Sequence, residues 1–210
     1  MNNWEKEQDF FKSTQMSTFE VPDEIFKELK EKIYQGKEKK FKNNDNLVGH
    51  IKEEYKLEIT ESLQNYIVSS SMNGVFGNWQ KDYFKFNTHN RPIVLDDLWV
   101  NFQKKYEFNP LHNYSGFGSF IIFVQIPYDL KEEESYYSDL EKDEPIYTSK
   151  LTFLHHLYNG ELFNRPINVD KSFCQKMIMF SSKQLHSVYP FYTSDDYRIT
   201  ISGNLKFDTR

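Results

Sequence analysis

The spacing of hydrophobic positions changes partway along the chain. Between Pro22 and Gly36, Ile25, Phe26, Leu29 and Ile33 recur at helical spacing, and Glu28 and Lys32 form an i,i+4 pair beside them. This pattern predicts a helix near residues 23–35. A second helix is expected near 60–70, with Thr60 as its N-cap and Leu63, Tyr66 and Ile67 on one face. It should dissolve at Ser69–Ser71 and the turn-forming Asn73-Gly74. Residues 1–20 read as an irregular arm ending in a short strand, and 37–46 as a charged, Asn-rich loop.

From Gly77 onward short aromatic and β-branched runs alternate with turn residues. Leu98, Val100 and Phe102 alternate with Trp99, Asn101 and Gln103. Ser119–Ile126 is almost continuously apolar, as expected of a strand covered on both faces. Leu151–Tyr158 and Glu161–Ile167 flank Asn159-Gly160, a strong hairpin signal. Met177–Phe180 and His186–Phe191 are further short strands. In Tyr197–Leu205, Tyr197, Ile199 and Ile201 share one face and Arg198, Thr200 and Ser202 the other. Two helices followed by about eight strands predict a mainly β fold, a double-sheet jelly roll with N-terminal helices packed on it. The expected organisation is one domain over 1–210, with an arm and helices in 1–75 and the β core from 76 onward.

Composition narrows the picture. A chain of 210 residues can bury one sizeable core without staples. It contains no alanine, which disfavours long helices, and its 14 Tyr and 19 Phe argue against wholesale disorder. The single Cys174 rules out an internal disulfide and any CxxC metal site. No apolar run approaches the ~20 residues of a membrane span, and the polar N-terminus does not read as a signal peptide. Net charge is −5. The expectation is a soluble cytoplasmic protein without a membrane partner, and the acidic balance disfavours nucleic acid. The acidic tract between Lys131 and Glu144 reads as a mobile surface loop.

Six histidines are the candidates for chemistry. His50 reads as lying at a helix start and His89 in a loop, and His155 and His156 must point to opposite faces of one strand. His112 and His186 stand out by context. His112 lies just before the apolar strand, in Asn109-Pro110-Leu111-His112-Asn113-Tyr114, and His186 begins a strand after Ser181-Ser182. Arg198 is alone among apolar neighbours; if it faces a barrel interior it needs an anionic partner, and Thr200 shares its face.

The segment Met177–Asn204, with Phe180, His186, Val188, Pro190, Arg198 and Ser202-Gly203-Asn204, closely resembles the C-terminal half of the 2-oxoglutarate- and Fe(II)-dependent oxygenases. It looks most like the small prolyl-hydroxylase-like proteins of marine bacteriophages. Leu98–Phe102 and Phe108–His112 resemble that family's first metal-binding strand and loop, and Asn44–Leu57, with Asn46-Leu47-Val48-Gly49, its N-terminal part. The resemblance implies a double-stranded β-helix, with His112 and His186 on Fe(II). Arg198, Thr200 and Asn101 would lie at the co-substrate 2-oxoglutarate, with O2 and a further substrate as partners. The activity implied is hydroxylation of a protein side chain or small molecule, in the host cytoplasm for a phage-encoded protein.

One position departs from the family. The residue two after the first histidine is ordinarily Asp or Glu, and here it is Tyr114. A phenol is a poor Fe(II) ligand at neutral pH. Three readings follow: iron held by His112 and His186 with water, a carboxylate supplied from elsewhere, or a decayed site. Asp96, Asp97 and Glu161 are the acids nearest to expected strands. The alternatives to an oxygenase are a non-catalytic jelly roll, a binding or virion-associated module, and a cupin-like metal protein in which Arg198 binds the substrate itself.

Overall fold

In the computed structural model, residues 1–14, 16–39, 49–74, 92–136, 147–157 and 159–208 are described. The expected start of the β core near Phe76, His89, the segment 44–48 and most of the acidic tract (137–146) lie outside the described residues. Among the described residues ten strands form two sheets: β1 (Ser17–Glu20), β2 (Glu53–Lys56), β3 (Ile93–Gln103), β4 (Asn109–His112), β5 (Gly118–Gln125), β6 (Leu151–His156), β7 (Leu162–Ile167), β8 (Lys176–Ser181), β9 (Leu185–Val188) and β10 (Arg198–Phe207). The larger sheet runs β1-β8-β5-β10-β3-β2 and the smaller β4-β9-β6-β7, with every pair antiparallel. The mainly β jelly roll read from the sequence is the fold observed. The N-terminal region also contributes two edge strands, β1 and β2, to the larger sheet.

Two hydrophobic layers fix the architecture, and alternation assigns each strand residue to one of them. On β5, Phe120 and Ile122 join the helix-side layer, while Ile121 and Phe123 join the layer between the sheets. That double burial explains the unbroken apolar run. The helix-side layer takes Ile25, Leu29 and Ile33 from α2 (Asp23–Lys39), Leu63 and Ile67 from α3 (Glu61–Asn73), and Ile201 and Leu205 from β10. As expected, Thr60 caps α3, its hydroxyl accepting from the Leu63 N–H at 3.2 Å. The layer between the sheets takes Leu151, Phe153 and Ile167 from the smaller sheet against Ile178 and Phe180 of the larger.

Four sequence readings are corrected. The N-terminal arm is a helix, α1 (Asn3–Ser13), closed by an Asn2/Glu5 capping box, with Trp4 and Phe11 buried in the same cluster as the layer between the sheets. His50 is not at a helix start: its N–H donates to the Phe108 carbonyl and its ring stacks on Phe108 at 4.7 Å. α3 runs through the serines to Asn73, with Ser70 and Ser71 buried, so packing overrides their turn preference. Part of the acidic tract is a short helix, α4 (Leu130–Ser135), whose buried Glu133 accepts from the Tyr192 and Thr193 N–H groups and the Thr193 hydroxyl. A carboxylate holding several donors is a structural clamp rather than a solvated charge.

Candidate functional site

The pairing of β4 with β9 sets His112 directly opposite His186. Their ring centroids are 4.2 Å apart, tilted by 49°. Both Nδ1 atoms meet backbone carbonyls, of Pro110 at 2.6 Å and of Gln184 at 3.0 Å. A carbonyl only accepts, so Nδ1 carries the proton in each neutral ring and Nε2 keeps its lone pair. The Nε2 of His186 is buried without a hydrogen-bond partner. Burial pushes the His186 imidazole down to about 3, with His112 acting in the same direction. Burial also lowers His112, against the opposing hydrogen bond to Pro110. Two neutral imidazoles side by side, each oriented by a carbonyl behind it, are a donor set that fits a divalent metal.

Tyr114 packs its ring on both imidazoles, at 5.2 Å from His112 and 4.7 Å from His186, and meets Trp99 edge-on at 5.3 Å. Burial raises its phenol above the ordinary value, more than a hydrogen bond with Ser202 lowers it. Tyr114 is therefore a protonated lid of the pair rather than an anionic oxygen. Among the described residues no third His, Cys, Asp or Glu joins the two imidazoles. Asp96 pairs with Lys206, Asp97 lies 3.9 Å from Lys56, and Glu161 is exposed at the hairpin.

Arg198 lies on the inter-sheet face of β10 and is only 2% exposed. Its Nη1 donates to the Ser149 carbonyl at 3.0 Å, its Nε is buried without a partner, and among the described residues no carboxylate pairs with it. Thr200 follows on the same face, and its hydroxyl accepts from the Asn101 side-chain amide at 3.3 Å, leaving the Asn101 Oδ1 buried and unpaired. Arg198, Thr200, Asn101 and Tyr114 line one narrow cavity between the sheets, whose free volume of about 20 Å3 is room for about one water molecule. The motif Ser202-Gly203-Asn204 gains a physical reading. A Cβ on Gly203 would meet the Asp97 carbonyl at 2.6 Å, so only glycine lets β3 approach there. Asn204 accepts from Ser119 at 2.8 Å and donates to Ser115 at 3.2 Å.

The structures of a Pseudomonas putida prolyl-4-hydroxylase and of a Burkholderia pseudomallei oxidoreductase of the 2OG-Fe(II) oxygenase family superpose on this framework. The first matches with a TM-score of 0.55 at 10% identity over 95% of this chain and 96% of that one. The second matches with a TM-score of 0.50 at 8% identity over 98% of this chain and 91% of that one. The chain shares the fold of the 2-oxoglutarate/Fe(II) oxygenases. No protein-family model and no curated protein matches it.

One residue near this cavity escaped the sequence reading. Glu54 on β2 is 1% exposed and pairs in register with Asn101. The run Glu53-Glu54-Tyr55-Lys56 looks like a polar edge strand, and only the pairing of β2 onto β3 turns Glu54 inward. Gly49 also acquires a role: a Cβ there would lie 1.9 Å from the Asn109 Oδ1, so glycine leaves room for that side chain.

Proposed function

We propose that the protein is a 2-oxoglutarate-dependent non-haem Fe(II) dioxygenase that hydroxylates a protein side chain or small molecule. The observation that carries this reading is Arg198, a buried guanidinium without a carboxylate partner among the described residues, in one inter-sheet cavity with the Tyr114 that packs on the paired imidazoles. An unpaired buried cation is costly and is tolerated where a ligand supplies the anion. The distal carboxylate of 2-oxoglutarate suits the guanidinium fork, and Thr200 and Asn101 add hydrogen-bonding groups beside it.

In this reading His112 and His186 hold the metal through Nε2, and the Pro110 and Gln184 carbonyls fix the two rings. Bound Fe(II) supplies O2 activation coupled to decarboxylation of 2-oxoglutarate to succinate and CO2, with one oxygen atom delivered to a substrate C–H bond. Tyr114, Trp99 and Phe180 form an aromatic wall beside the imidazoles, with His186 fully buried and His112 partly exposed. No helix among the described residues is long and apolar enough to cross a membrane. The resemblance to phage hydroxylases supports work in a host cytoplasm.

The test is anaerobic calorimetry with Fe(II) or Mn(II), with and without 2-oxoglutarate, followed by succinate assay in air. The native protein should bind metal in a way that both His112→Ala and His186→Ala abolish, and 2-oxoglutarate should tighten that binding. Native protein that binds neither metal nor 2-oxoglutarate is instead a binding module that has kept only the fold.

A further inference from the structure

Tyr55 packs into the helix-side core, so its neighbour Glu54 faces the opposite side of the larger sheet. Glu54 sits opposite Asn101, and directly opposed residues in an antiparallel pair point to the same face with Cβ atoms about 5 Å apart. Asn101 lines the cavity. Among the described residues the Glu54 carboxyl takes part in no hydrogen bond and no ion pair. A buried carboxyl ordinarily has such partners.

Acceptors nearby are unpaired as well. The Oδ1 atoms of Asn101 and Asn109 are both buried and unpaired, and both residues line the same cavity. The other charged group acting on Glu54 is Glu107, also an acid. Unpaired acceptors and the Arg198 guanidinium thus line one cavity. Burial and Glu107 raise the Glu54 carboxyl to about 7, so a cation placed beside it would draw it into the ionised form.

We propose that Glu54, paired with the cavity-lining Asn101, is a substrate-anchoring carboxyl beside this cavity, and that the molecule to be oxidised carries a protonated amine or guanidinium that Glu54, Asn101 and Asn109 receive. This rests on the reading of the cavity as the site of a 2-oxoglutarate oxygenase, with Arg198 assigned to the co-substrate. The two anchors then divide the ligands by charge. The anionic co-substrate goes to the guanidinium, and the cationic substrate goes to the carboxyl. Asn101 stands between them, its amide donating toward Thr200 and its oxygen open to the substrate.

The test uses matched probes of one shape. N-acetyl-lysine amide and N-acetyl-arginine amide are titrated into the full-length protein against N-acetyl-norleucine amide, by ligand-observed NMR under nitrogen, with and without Mn(II) and 2-oxoglutarate. The native protein should bind at least one cationic probe at least tenfold more tightly than the neutral one. Glu54→Gln should abolish that preference while leaving 2-oxoglutarate affinity within about twofold, and Glu54→Asp, which keeps the charge, should retain a preference. Equal binding of charged and neutral probes by the native protein overturns the proposal without any variant. A cation preference that survives in Glu54→Gln overturns it too. Failure of Mn(II) and 2-oxoglutarate to bind, with the cation preference intact, removes the oxygenase reading and leaves the Glu54 anchor standing.

Discussion

Replacing Arg198 separates a co-substrate anchor from a structural arginine. Arg198 is 2% exposed, and among the described residues its guanidinium makes one hydrogen bond, to the Ser149 carbonyl at 3.0 Å. That carbonyl also accepts from the Tyr128 hydroxyl at 3.2 Å, so it does not lose its last donor when Arg198 is removed. Arg198→Met therefore removes a buried, uncompensated charge and orphans no partner. The free protein should unfold at the same denaturant concentration or a higher one, since replacing buried charge by apolar volume is neutral or stabilising by about 1–4 kcal/mol. Arg198→Lys keeps the charge but loses the fork. Losing one of two parallel charge-assisted hydrogen bonds costs about 1.5–3 kcal/mol, or roughly 10- to 150-fold in 2-oxoglutarate affinity. The assay is anaerobic calorimetry with Mn(II), paired with urea unfolding in the presence and absence of 2-oxoglutarate. Native protein at 100 times Kd should gain about 2.7 kcal/mol of stability from the ligand, and Arg198→Met none. Native 2-oxoglutarate affinity in Arg198→Lys would refute the assignment. A loss of several kcal/mol in ligand-free Arg198→Met would show that the guanidinium holds the fold together.

Acid should expose His186. Its folded value of about 3 lies below the unfolded value of 6.5, so its contribution is complete above about pH 6.5 and falls away as pH drops toward 3, by up to about 4–5 kcal/mol. Glu54, raised to about 7, acts with the opposite sign between about pH 4.5 and 7, so the readout is the difference between native protein and His186→Asn in urea unfolding across that range; parallel curves would contradict the reading. Tyr114→Asp places an anionic oxygen two residues from His112 and should tighten Mn(II) binding about tenfold or more, by calorimetry; no gain means that another group already fills that position or that the pair binds no metal. Gly203→Ala forces a Cβ against the Asp97 carbonyl and the Phe120 ring, both at 2.6 Å, and should cost about 1–3 kcal/mol in chemical unfolding; a change below about 0.5 kcal/mol would show that β3 can shift aside.

Much of the architecture was legible because β5 and β10 carry clear signals. The apolar run of β5 and the alternation of β10 encode which faces are buried, and both appear as read. The Asn159-Gly160 hairpin likewise joins β6 to β7. The placement of His112 opposite His186 depends on a cross-strand register between residues 74 positions apart, which a linear pattern does not contain. Glu54 was illegible for a related reason. A four-residue strand of two acids, a tyrosine and a lysine has the composition of a surface edge, and its burial arises only from pairing with β3. The first turn of α1 was hidden because its cap is made by Asn2 and Glu5 within a polar stretch, while the residues it buries, Trp4, Glu7 and Phe11, include an acid and are separated by the polar run Glu5–Asp9.

Four of the eleven buried unpaired side-chain atoms among the described residues share an energetic logic. The Nε2 of His186, the Nε of Arg198 and the Oδ1 atoms of Asn101 and Asn109 are all buried without partners, and all belong to the imidazole pair or the adjoining cavity. Each such group costs about 1–3 kcal/mol relative to a satisfied one, a burden a marginally stable domain carries only if something else offsets it. The offset lies in the same strands. β10 turns Ile201 and Leu205 into the helix-side core, and its opposite face presents Arg198 and Thr200 to the cavity. The helices thus stabilise the strand that bears the cost, and the orphaned atoms record what a bound ligand must offer: a metal at nitrogen, an anion at the guanidinium and hydrogen-bond donors at the amide oxygens. A ligand that satisfies one end leaves the other still exposed to its penalty. Co-substrate and substrate should therefore stabilise the fold additively rather than compete for it.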